Sequence, residues 1–152
     1  MFGDILGTVY VGEKGVPVHV YDNDRCGDED HQYHAWDGVY GLKWECVELA
    51  RRYLYLASDE RYMLPYVDNA VDLWDVLPGE ARFRNTDVSL LMKHSVVVFD
   101  AKGEYEITGH VAIVVDVISP GVVDIVEQNM SRYRRTIDVS TADHVLGWFN
   151  LF

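Results

Sequence analysis

The apolar positions of this chain change period once, near residue 95. Before that point the repeat is helical. Behind the chain break at Gly41, Val47, Ala50 and Leu54 recur at helical spacing and predict a helix from about Trp44 to Ala57, with Trp44 and Glu45 in its first turn. Val67, Val71, Trp74 and Leu77 repeat in the same way between Pro65 and Pro78, which predicts a second helix over residues 66–77 with Asp68 or Asn69 as its cap. Residues 79–94 read as a polar connection with one helical turn around Val88 to Met92.

After Ser95 the period shortens to that of strands. Val96 to Phe99 reads as a short buried strand and Ala101 to Gly103 as a turn. Val111 to Ile118 is apolar on both faces, as a central strand requires. Ser119-Pro120-Gly121 turns the chain back into an antiparallel partner over 122–128, with further strands near 135–139 and 145–152. Ahead of the helices, residues 16–21 alternate as a strand that Pro17 confines to an edge or a first position. Helices followed by antiparallel strands make an α+β fold, expected as one domain over residues 1–152.

Composition adds limits rather than a function. At 152 residues the chain can bury a core without disulfide or metal support. Its net charge of −12, from 25 acidic against 13 basic residues, disfavours nucleic-acid backbones and favours small cationic partners. The opening Met-Phe-Gly-Asp-Ile-Leu-Gly lacks the marks of a signal peptide, and no apolar run is long enough for a membrane span, so a cytoplasmic setting is expected. Cys26 and Cys46 form no Cys-x-x-Cys and suggest no disulfide framework.

The stretch holding Asp22, Asp24, Asp28, Glu29, Asp30 and Asp37, opposed only by Arg25, reads as a solvated acidic loop. Cys26, Asp28, Asp30, His31 and His34 could be drawn as metal ligands, but they match no closed zinc spacing. A calcium loop opening at Asp22 would place Tyr33 where a bidentate Glu is needed. Neither metal nor cofactor is expected.

Candidate chemistry begins with Cys46, at the mouth of the first helix. Unpaired N–H groups and the positive end of the helix dipole favour a thiolate there, and the thiolate is the reactive form. A base must come from elsewhere. His110, preceded by Gly109, stands at the start of the predicted central strand. If the hairpin loop has two or four residues, His110 faces Asn129 and Ala112 faces Glu127, which makes Glu127 the diagonal neighbour of His110. Strand parity puts Glu127 and Asn129 on one face with Val123 and Ile125, and a carboxylate on an apolar face needs a donor. Cysteine, histidine and an orienting carboxylate form a nucleophile, its base and the group that fixes the base. Glu48 and Arg52, at i, i+4 spacing, read as a surface ion pair. The other histidines have no comparable setting.

Four segments taken together are family-specific: 44–52 (WECVELARR), 108–114 (TGHVAIV), 126–129 (VEQN) and 146–148 (LGW). They resemble the CHAP family, the cysteine, histidine-dependent amidohydrolases/peptidases, and within it the glutathionylspermidine amidase branch, whose likeness extends to the FGDILG opening. The resemblance implies a papain-like (NlpC/P60-type) fold in which Cys46 attacks a carbonyl, His110 is base and then acid, and Glu127 orients the histidine with Asn129 nearby. It also implies Arg51 at the glutathione end of a substrate and Ser131 close to it. Two departures stand out: Glu45 precedes the cysteine where relatives commonly have Gln, and the segment between Asn129 and Leu146 is shorter than in the bacterial amidase. Glu45 thereby becomes a candidate for shaping the oxyanion site or leaving-group binding.

Three functions fit this resemblance. The first is hydrolysis of a glutathione–polyamine amide such as glutathionylspermidine through a cysteine acyl-enzyme. The second is CHAP-type cleavage of peptidoglycan amides. The third is a non-catalytic binding or structural domain that keeps the fold.

Overall fold

Buried from Val47 to Leu54, the helix α1 (Cys46–Ala57) is the element around which the sheets are laid. The computed structural model describes residues 2–12, 14–23, 36–130 and 132–152. Residues 24–35 of the acidic stretch, with the metal reading placed on Cys26, Asp28, Asp30, His31 and His34, lie outside the described residues, as does Ser131.

Among the described residues, eight strands form two antiparallel sheets. β1 (Ile5–Val11) and β2 (Pro17–Tyr21) make a two-stranded ribbon. The remaining strands are β3 (Arg82–Arg84), β4 (Val96–Phe99), β5 (His110–Ser119), β6 (Val122–Val126), β7 (Arg134–Asp138) and β8 (Val145–Phe149). They lie side by side in the order β3-β8-β4-β5-β6-β7.

Strand alternation produces two cores. Val96, Val98, Val111, Ile113 and Phe149 face α1 and meet Leu49, Ala50, Tyr53 and Leu54, together with Val18 and Val20 of β2. Val97, Phe99, Ala112, Val114, Val123, Ile125 and Trp148 form the second core on the opposite face. Burying each such side chain contributes roughly 1.5–3 kcal/mol. That outweighs any surface ion pair and explains why β4 and β5 follow the hydrophobic pattern closely.

The N-terminal half departs from expectation in instructive ways. The predicted 66–77 helix contracts to a 3₁₀ turn at Ala70–Asp72 and the short α2 (Leu73–Val76). Asn69 is extended and makes no side-chain cap, and the Val71 N–H bonds Thr108 O at 3.0 Å instead of a helical carbonyl. A tertiary hydrogen bond replaces the first turn of the helix. The polar connection contains β3, whose Arg-Phe-Arg sequence suits a charged sheet edge. β2 matches the strand expected at residues 16–21, while its partner β1 was not expected.

The β5–β6 hairpin reaches the expected register by a different route. Ser119 pairs with Val122 around a two-residue Pro120-Gly121 turn, and two irregularities along the ladder then bring Val114 opposite Ile125 and Ile113 opposite Val126. Continued toward the start of β5, this register puts Glu127 diagonal to His110.

Candidate active site

Cys46 is the first residue of α1, with Glu45 as an extended N-cap (φ −81°, ψ 164°) whose carbonyl accepts the Leu49 N–H. The helix therefore starts later than its periodicity suggests, and Trp44 instead stacks on Tyr21 at 4.0 Å. The consequence favours chemistry, because the free thiol sits in the first turn, where the dipole stabilises an anion most.

His110 opens β5 and is 3% exposed. Its Nε2 lies 2.9 Å from Glu127 Oε1. An ionised carboxylate only accepts, so Nε2 carries the proton and Nδ1 is the free ring nitrogen; Cys46 is close enough to act on the imidazole. Burial pushes the imidazolium down most strongly; the hydrogen bonds and charges of Cys46 and Glu127 together outweigh it and raise His110 to about 9. Glu127 is fully buried, which alone would raise it, yet His110 and Arg135 hold it below the ordinary carboxylate range. An imidazolium held against a buried carboxylate is thus the favoured charge pattern. Gly109 permits this approach: a Cβ there would stand 2.6 Å from Val71 Cβ and 2.8 Å from Phe99 O.

Asn129 does not face His110. Beyond the end of β6 its φ is +65°, which breaks strand alternation, and its Nδ2 donates to Glu45 Oε2 at 2.8 Å. Its Oδ1 is buried without a hydrogen-bond partner. Arg51 also departs from the expected role. Its Nε donates to Leu64 O at 2.7 Å and its Nη1 to Tyr40 O, so it braces two loops and is not among the residues lining the cleft.

Glu48 and Arg52 are not a surface pair. Glu48 is fully buried and accepts from Arg52 Nε at 2.8 Å and Nη2 at 3.1 Å. The helix is enclosed on this side, so each charge needs an interior partner. Burial works against the charge of the neighbouring Asp37, but the N–H groups of Val39, Tyr40 and Gly41 donate to its Oδ1 and hold it low.

Sequence reasoning passed over Gln128, Arg135 and Tyr105. Gln128 is 1% exposed, donates to Glu45 O and Glu48 Oε1, each at 2.9 Å, and accepts the Tyr21 N–H at 2.9 Å. Arg135 Nε donates to Glu127 Oε2 at 2.7 Å. The signal for Arg135 was present: it alternates with Ile137 and Val139, which puts an arginine on the apolar face of Glu127. Nothing in the sequence marked Gln128 or Tyr105.

Cys46 and His110 share a cleft of about 290 Å³. Glu45, Asp68 and Glu104 also line it, as do Tyr66, Tyr105 and Asn129, and among the described residues no lysine or arginine does. Tyr66 is raised above its ordinary value, first by burial and then by the charges of Asp68 and Glu45. Among the described residues no group of histidine, cysteine and carboxylate could hold a metal, and no helix is long and apolar enough to cross a membrane.

A helix-borne thiol beside a carboxylate-held imidazole, on an antiparallel sheet, defines the class. The CHAP domain family model matches residues 36–129, and the chain belongs to that family, whose class is that of hydrolases acting on amide bonds. Two curated relatives are bifunctional glutathionylspermidine synthetase/amidases, from Escherichia coli (strain K12) and Shigella flexneri, each 29% identical over 147 residues. Those alignments cover 85% of this chain but 22% of each relative, so the chain spans about a fifth of their length. Among solved structures, an N-acetylmuramoyl-L-alanine amidase from Staphylococcus aureus matches 77% of this chain and 33% of that one, with a TM-score of 0.56 and 20% identity. That likeness is one of fold.

Proposed function

We propose that this protein is a thiol amidase that hydrolyses the amide between glutathione and a polyamine, as in glutathionylspermidine. The observation that carries the substrate class is the acidic cleft: Glu45, Asp68 and Glu104 line the cleft that holds the thiol and no described lysine or arginine offsets them there. Such a lining attracts a cationic leaving group and repels an anionic one. The relatives named for this chemistry support the same reading.

In the proposed reaction the Cys46 thiolate attacks the carbonyl carbon, and an S–C bond forms as the C–N bond breaks. His110, as imidazolium, gives its proton to the departing amine. The neutral imidazole then takes a proton from water as the water attacks the thioester, which releases the glutathione carboxylate and restores the thiol. Glu127 keeps the ring in the tautomer that presents Nδ1 to sulfur.

The test is spermidine release from glutathionylspermidine by purified protein whose Cys46 is verified as reduced. Release by the wild type and none by Cys46→Ala is expected. No release overturns the substrate assignment. A parallel incubation with a cell-wall peptide identifies the alternative substrate if that is cleaved in its place.

A further inference from the structure

Arg135 stands on β7 opposite Ile125, outside the 36–129 span matched by the family model. Its guanidinium touches two different supports of His110. Nε donates to Glu127 Oε2 at 2.7 Å and Nη2 to Glu127 Oε1 at 3.2 Å. The same Nη2 donates to the Tyr105 hydroxyl at 2.9 Å. Tyr105 in turn lies flat on His110, with ring centroids 5.0 Å apart and planes within 4°.

We propose that Arg135 is a positioning residue: one guanidinium fixes both the carboxylate that holds the edge of His110 and the tyrosine that covers its face. An imidazole has two ways to leave its working position, by swinging in its plane and by tilting out of it. The hydrogen bond to Glu127 opposes the first and the Tyr105 stack opposes the second. A flat fork with several donors can serve both groups at once, whereas a lysine has a single point charge to offer.

Arg135 also completes the local charge. In the attacking form of the proposed reaction, with Cys46 and Glu127 as anions and His110 as a cation, the three groups carry one negative charge, which the arginine offsets. Other groups near Glu127 and Arg135 are Arg132, whose Nε is 3.7 Å from Glu127 Oε2, Glu104, which is 3.8 Å from Arg132, and the Tyr105 hydroxyl, raised to about 12 chiefly by burial. Arg132 is more exposed and more distant, so it substitutes poorly. Removing Arg135 leaves net negative charge in a buried site, and the cluster then retains a proton to higher pH.

The inference rests on Cys46 and His110 being the reacting pair, so the test reads the thiol and needs no substrate. Alkylation of Cys46 by iodoacetamide is followed across pH by mass spectrometry of its own peptide. Wild type, His110→Ala, Arg135→Met, Arg135→Lys and Tyr105→Phe are compared, with folding verified by near-UV circular dichroism. In Arg135→Met the rise in reactivity is expected to move up by about one pH unit, which is about tenfold slower alkylation below the rise. Arg135→Lys, which keeps the charge but not the fork, and Tyr105→Phe should each produce a smaller upward shift.

An unshifted profile in folded Arg135→Met overturns the proposal. If that variant does not fold, wild-type profiles in both Arg135→Lys and Tyr105→Phe overturn it, and a shift in either supports it. A wild-type Cys46 that reacts as an ordinary thiol and ignores His110→Ala overturns the reacting pair itself, a result separate from the fate of Arg135.

Discussion

Asn129 donates its side-chain amide to Glu45 at 2.8 Å, across 84 positions of sequence, and so fixes a carboxylate beside Cys46. This makes Glu45 a fixed feature of the cleft rather than a freely swinging surface acid. If it meets the charge of a polyamine, Glu45→Gln should raise KM for a cationic amide by about 3–5-fold, the range of a partly exposed ion pair, with little change in kcat. Initial rates on a cationic and a neutral amide decide the matter. Equal effects on both substrates would remove Glu45 from charge recognition. Added salt should raise KM in wild type more than in the variant.

The charge pattern at His110 sets the alkaline limit. With the imidazolium raised to about 9, turnover should fall as pH rises through about 9, because the leaving amine then lacks a proton donor. Glu127→Gln should move that limit downward, toward the ordinary histidine value.

Stability follows the same linkage with a definite sign. His110 has a folded value above its ordinary 6.5, so its contribution is fully present below pH 6.5 and is lost as pH rises through about 9. Glu127 is depressed below its ordinary 4.5, so its contribution is present above that pH and lost as pH falls through its lower folded value. Urea midpoints at pH 6, 8 and 10 should therefore show a wild-type advantage over His110→Ala that shrinks with pH; a constant advantage contradicts this assignment.

Gly109→Ala tests the close approach beneath His110. The new Cβ meets Val71 and the Phe99 carbonyl, and φ at this position is +67°. A loss of roughly 2–4 kcal/mol is expected, seen as a fall in Tm of several degrees, with activity lost even in the fraction that remains folded. Unchanged Tm and activity would show that the 109–110 backbone relaxes freely.

The buried pair in α1 should show strong coupling. Glu48→Leu or Arg52→Met alone leaves an unpaired interior charge and should cost about 3–5 kcal/mol. The double variant should recover much of the loss. Denaturant unfolding of the four proteins measures the coupling, and strictly additive losses would mean that the two side chains act independently.

The second half of the chain was more legible than the first, for a physical reason. β4, β5 and β6 are set by buried alternation, which leaves its period in the sequence, and that period also placed Glu127 beside His110. The 66–77 segment has a helical period but spends the Val71 N–H on Thr108, a tertiary bond that no local pattern records. β1 is largely exposed and interrupted by Gly7, so its alternation is weak. Glu48 and Arg52 looked superficial because i, i+4 spacing says nothing about what covers a helix, and here Gln128 covers it. Asn129 was misplaced because strand parity holds only while the strand lasts, and β6 ends at Val126. Arg51 shows the limit of carrying a role across by position, since its donors serve backbone carbonyls here.

Glu127, Gln128 and Asn129 are successive residues with three separate duties: one holds the histidine, one the start of the helix, one the carboxylate beside the thiol. All three lie far along the chain from Cys46, and Arg135 lies farther still. The setting of Cys46 therefore depends on the last third of the chain: only with β6 and β7 in place do Glu127, Gln128 and Asn129 reach His110, Glu48 and Glu45.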